Sequence, residues 1–76
     1  MSSDIVMLHV RFAPDGGVVE ISERPAPNSA QAWFDWVSLS APDAYQALSG
    51  GRGVFRMTRD KLEELRAGIA ANNAAA

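Results

Sequence analysis

Cysteine is absent from this 76-residue chain. That removes disulfide frameworks, thiolate zinc sites and cysteine nucleophiles. It also argues against a secreted mini-protein, because extracellular domains this small are usually stapled. No apolar run approaches about 18 residues, so the sequence predicts no membrane-spanning helix. The opening residues, Met1-Ser2-Ser3-Asp4, carry no basic segment, and strand-like alternation rather than a signal-type apolar core follows at once. No signal peptide is expected, and the expected location is the cytoplasm. Histidine occurs once, as His9. No strong charge of either sign is present, the formal net charge being −2.

What is present points to one folded domain spanning residues 1–76, with 1–3 and 72–76 expected as flexible tails. Apolar residues make up 47% of the chain, which is globular rather than disordered composition. A chain this short buries only about 60% of its unfolded surface, so stability of a few kcal/mol is expected. Charge is unevenly spread. Residues 1–50 carry two bases against six acids, and residues 51–76 carry five bases against three acids. The C-terminal third is mildly basic, well below the density typical of a nucleic-acid binder.

Residues 5–12 alternate at period 2, with Val6, Leu8, Val10 and Phe12 on one face and Ile5, Met7, His9 and Arg11 on the other. Pro14-Asp15-Gly16-Gly17 follows, a turn sequence that fixes φ, bonds its own backbone and supplies positive φ. A second strand from Val18 to Glu23 completes an expected β-hairpin. Pro25 and Pro27 end it. Asn28 or Ser29 can cap a helix to about Leu39, although Trp33-Phe34-Asp35-Trp36-Val37 also suits a strand. Ser40-Ala41-Pro42-Asp43 looks like a capping box opening a second helix, stopped at Gly50-Gly51. Arg52 to Met57 predicts a third strand. Thr58 can cap a last helix with Leu62, Leu65 and Ile69 as its stripe. The expected fold is therefore α+β: a small antiparallel three-stranded sheet with helices on one face, in the order β-β-α-α-β-α. Its expected core is Leu8, Val10, Phe12, Val19, Ile21, Trp33, Trp36, Leu48, Phe55, Leu62 and Leu65.

Few residues suggest chemistry. His9 could serve as a base or ligand, but no partner for either role is in evidence. Asp60, Glu63 and Glu64 suit the positive end of a helix better than a cation site, since adjacent helical residues point about 100° apart. Gly50-Gly51-Arg52-Gly53 could cradle an anion through backbone N–H groups. It matches neither nucleotide-loop pattern and reads more simply as a helix stop and turn. Arg52-Gly53-Val54-Phe55-Arg56-Met57 opens like the core of an RNA-recognition motif, yet Val54 stands where a stacking aromatic belongs. Trp33, Phe34 and Trp36 could form a stacking platform, but at helical spacing they read as core.

Residues 29–66 carry Ala-Trp-Phe-Asp-Trp and Gly-Gly-Arg-Gly-Val-Phe-Arg-Met-Thr-Arg-Asp-Lys-Leu-Glu-Glu-Leu. About half the chain in this way resembles short uncharacterised proteins of β-proteobacteria such as Burkholderia. The resemblance implies a bacterial protein and assigns no site residues.

Three functional classes follow. The first is a non-catalytic module that binds a protein partner or itself. Ile5, Met7, Val18 and Val54 lie opposite the expected core and form its expected contact surface. The second is a weak anion or nucleic-acid binder through Arg52, Arg56, Arg59 and Lys61. The third, an enzyme, lacks a nucleophile–base–orienter set. No cofactor, metal or membrane is expected, and nucleic acid is the less favoured partner.

Overall fold

The computed structural model describes residues 4–75. The expected tail at residues 1–3 lies outside them, as does Ala76. The element order is β1 (Ile5–Phe12), β2 (Val18–Ile21), α1 (Ala30–Ser40), a 3-10 turn (Pro42–Ala44), β3 (Tyr45–Leu48), β4 (Arg52–Thr58) and α2 (Arg59–Ala75). The strands form one antiparallel sheet in the order β2-β1-β4-β3.

The first hairpin forms as its turn residues dictate. Ala13 N–H donates to the Gly17 carbonyl at 2.7 Å, and Gly16 N–H donates to the Ala13 carbonyl at 2.9 Å. The Asp15 carboxylate accepts from Gly17 N–H at 2.9 Å, and Gly16 takes φ +92°. Helix α1 starts where Ser29 accepts from Ala32 N–H at 3.1 Å. Helix α2 starts where the Thr58 hydroxyl accepts from Lys61 N–H at 3.1 Å. Both caps satisfy N–H groups that a helix start leaves without intrahelical partners. Helix α2 continues through residues 72–75, and Asn73 exchanges amide hydrogen bonds with Asn28 at 2.9 and 3.3 Å.

Two features correct the expected fold. Among the described residues the sheet has four strands rather than three, and there are two α-helices rather than three. Where Ser40 to Ser49 was expected as a helix, Pro42–Ala44 makes a single 3-10 turn and the chain then extends. Tyr45 pairs with Phe55, and Leu48 pairs with Arg52. Gly50 and Gly51 take φ +80° and +70° and reverse the chain into β4. Positive φ serves a helix stop and a hairpin turn equally, so the glycines fitted both readings.

The second correction concerns side-chain parity in β2. Arg11 pairs with Glu20 while Phe12 pairs with Val18, so Val19 is an extra residue in a β-bulge. An inserted residue reverses which face its neighbours occupy. Val18 therefore packs against the core, and Val19 is 52% exposed. Leu48, also expected inside, is 39% exposed because its register partner is Arg52 on the outward face.

One core joins a single face of the sheet to both helices. Leu8, Val10, Ile21, Phe55 and Met57 meet Trp33 and Val37 of α1 and Leu62, Leu65 and Ile69 of α2. Phe34, Tyr45 and Phe55 stack edge-on or tilted at 5.1–6.2 Å between centroids, and Phe12 meets Phe34 at 5.5 Å. Trp36 lies across the two helices, donating to the Leu65 carbonyl at 3.1 Å. A side chain at Gly68 would come within 3.1 Å of that indole, which explains a glycine inside α2.

The loop after β2 is held by side chains rather than by a sheet. Trp33 donates to the Ser22 carbonyl at 3.0 Å, and Arg66 donates to the Glu23 carbonyl. Glu23 sits at φ +63°, a left-handed conformation that costs about 1–2 kcal/mol for a residue with a side chain. Its carboxylate lies 3.9 Å from Arg66 with both groups well solvated, a pairing worth little. Glu23→Gly is therefore expected to stabilise the domain by ~0.5–1 kcal/mol, raising Tm by roughly 2–8 °C in thermal unfolding. An unchanged or lower Tm would mean that the carboxylate outweighs the strain.

Candidate interaction surface on the open face of the sheet

Because both helices share one face of the sheet, no layer among the described residues covers the other face. Alternation along the strands fixes what that face presents. Strand β1 contributes Ile5, Met7, His9 and Arg11. Cross-strand pairing sets Thr58, Arg56, Val54 and Arg52 of β4 against them in turn. Strand β3 adds Gln46 and Leu48, and β2 adds Glu20 opposite Arg11. Ile5 is 62% exposed and Met7 is 44% exposed.

Two of the four residues expected in the contact surface are placed differently. Ile5 and Met7 lie on the open face and are exposed. Val18 is on the helix side, for the bulge reason given above. Val54 keeps the expected face but is buried, being flanked across the strands by His9 and Gln46. Leu48 belongs to the same surface and was missed, since it becomes outward-facing only once Ser40 to Ser49 is known to contain a strand.

The expected basic cluster divides in two. Arg52 and Arg56 project from the open face. Arg59 and Lys61 belong to the first turn of α2, where the Lys61 ammonium lies 3.5 Å from Glu64. Arg11 is the cation that sequence reasoning left out of this cluster. It stands directly opposite Arg52 across β1 and β4, although 41 positions separate them in the chain. Period-2 alternation had put Arg11 on this face; only the strand register puts it beside Arg52.

Charge on the open face is partly compensated. Arg11 donates to Glu20 at 3.0 Å in a solvent-exposed ion pair. Arg52 Nε–H reaches the Ser49 carbonyl at 3.4 Å. Arg56 has no ion pair among the described residues. Around Arg11 and Arg52, with His9, Glu20 and Ser22, an open groove of about 340 Å³ runs over the strands. The Ser22 hydroxyl is engaged by the backbone of His9, accepting from its N–H at 3.0 Å, and not by its imidazole. Serine and histidine are thus not arranged as nucleophile and base.

Gly50-Gly51-Arg52-Gly53 does not form an anion cradle of three free glycines. Gly50 and Gly51 make the β3–β4 turn, and Gly53 is buried beneath the Tyr45 ring. Trp33, Phe34 and Trp36 belong to or pack against the core, so they present no stacking platform. A second hollow lies between α1 and α2, beside Trp36, Leu39 and Asn73. It gathers no cluster of like charge. Among the described residues, no group of three or more His, Asp or Glu could hold a metal ion. No helix among them is long and apolar enough to cross a membrane.

No family model, curated protein or solved structure matches the chain.

Proposed function

We propose that this domain is a non-catalytic interaction module of the cytoplasm that binds a protein partner through the open face of its sheet. The observation that supports this reading is the one-sided layering. A four-stranded sheet carries both helices on one face and leaves Ile5, Met7 and Leu48 exposed on the other. Sheets normally bury at least one apolar face, and large apolar patches left exposed mark contact surfaces. The same face holds Arg52 and Arg56 of the anion-binding reading, with Arg11 opposite Arg52.

Substitution separates this surface from the fold. Ile5→Lys and Met7→Lys alter exposed side chains away from the core, and each is expected to change stability by less than about 0.5 kcal/mol. A photo-crosslinking amino acid at Met7 is expected to yield one discrete protein adduct in the source cell. The same group at Glu63, on the solvent side of α2, is expected to yield none. Equal labelling from both positions, or none from Met7, would overturn the reading. An adduct of twice the chain mass would identify the partner as a second copy.

A further inference from the structure

We propose that the open face receives an acidic, amphipathic helix of a protein partner. Its carboxylates seat on Arg11, Arg52 and Arg56, and its apolar side chains seat on Ile5 and Met7. This rests on the reading of that face as an interface and adds the chemistry of what binds there.

The charge pattern carries the inference. The whole chain is net negative, yet the four strands place on their open face three arginines and a single acid, Glu20. Arg11 and Arg52 occupy directly opposed positions, an arrangement that costs stability unless an anion joins them. Glu20 answers only one of the two. Guanidinium groups take carboxylates in bidentate fashion, and the groove beside Arg11 and Arg52 is open to solvent.

Two other occupants fit less well. Nucleic acid recognition at a sheet face relies on aromatic side chains that stack bases. All six aromatic residues of this chain lie on the helix side. A second copy pairing the same faces would set two faces, each with three arginines and one acid, against each other, and like net charges repel.

The geometry suggests the shape of the partner. From Ile5 to Arg11 the face spans about 20 Å along β1. That is the length of a helix of roughly 13 residues. A helix laid on the bare face also supplies the missing layer of a sheet covered on one side. The Arg11–Arg52 pair lies at one end of β1, and at the other end Ile5 and Met7 lie beside Arg56, so the partner helix is acidic toward one end and carries an apolar stripe edged by acid toward the other.

The test is a titration of the whole chain with a synthetic peptide of about 14 residues. Glutamates occupy its first two turns, and its last two turns carry a stripe of leucines edged by a glutamate. The expected result is movement of the amides of residues 5–11 and 52–56. Affinity should fall about tenfold between about 50 and 300 mM salt, because the exposed charges become screened. It should fall about tenfold or more in Arg52→Gln/Arg56→Gln, while the amide spectrum of that variant keeps the pattern of the fold. Unmoved amides, equal binding of a Lys-for-Glu peptide, or stronger movement of the same amides by single-stranded RNA would each overturn the proposal. Should the Met7 crosslink persist while the peptide leaves the amides unmoved, the interface stands and its acidic partner falls. Loss of both removes the interface itself.

Discussion

Replacing Gly53 with alanine is expected to cost about 2 kcal/mol, within the range for overpacking a filled core. In a domain of this size that lowers Tm by roughly 8–16 °C. The reason is a single ring. Tyr45 sits on β3 beside Gly53 of β4, and an added Cβ would lie 2.6 Å from its Cε1 and 2.8 Å from its Cζ. The ring cannot simply swing away, because Phe55 and Phe34 hold it at 5.1 and 6.2 Å between centroids. Thermal unfolding of Gly53→Ala in two backgrounds checks the cause. In Tyr45→Ala the same substitution is expected to cost less than about 0.5 kcal/mol, since contacting residues couple and distant ones add. An equal cost in both backgrounds would place the penalty in the strand backbone instead.

Trp33→Ala is expected to bring the domain close to unfolding. Trp33 is fully buried and is the largest side chain in the core. Removing such a ring typically costs about 3–5 kcal/mol. The deletion also strands the Ser22 carbonyl, which accepts from the indole N–H at 3.0 Å. A chain of this length is stabilised by about 4–11 kcal/mol in total, so the loss takes most of the margin. Trp33→Phe keeps much of the volume and drops the hydrogen bond, with an expected cost of about 1–3 kcal/mol. Denaturant unfolding followed by Trp36 fluorescence measures both. A cost below about 1 kcal/mol for Trp33→Ala would contradict its place at the centre of the core.

The same tryptophan shows why some residues were misassigned. Trp33 and Trp36 at helical spacing are legible because a helix repeats every 3.6 residues whatever surrounds it. Leu48 and Val19 are not, because strand faces depend on register and on bulges made with other strands. Leu48 is outward because Arg52 is outward, and that pairing exists only through the β3–β4 hairpin. Of the candidate surface, Ile5 and Met7 follow from simple alternation along β1. The meeting of Arg11 with Arg52 required the β1–β4 pairing.

Local chemistry alone determined the turn of the first hairpin, the cap at Thr58, the stripe of α2 and the lack of any cysteine-based site, and narrowed the cap of α1 to Asn28 or Ser29. Each depends on residues within a few positions of one another: a turn, a hydroxyl three residues from an N–H, a periodic apolar face. Tertiary structure decided the rest. A capping-box pattern followed by paired glycines is compatible with a helix and its stop, or with a 3-10 turn and a hairpin. The glycines need positive φ in either case. Tyr45 settles the choice, because as a strand residue it covers Gly53 and joins Phe34 and Phe55, contacts made across the sheet and onto α1. The same long-range pairing brings together three arginines on a face without helices, since cross-strand neighbours are chosen by the sheet and not by spacing along the chain.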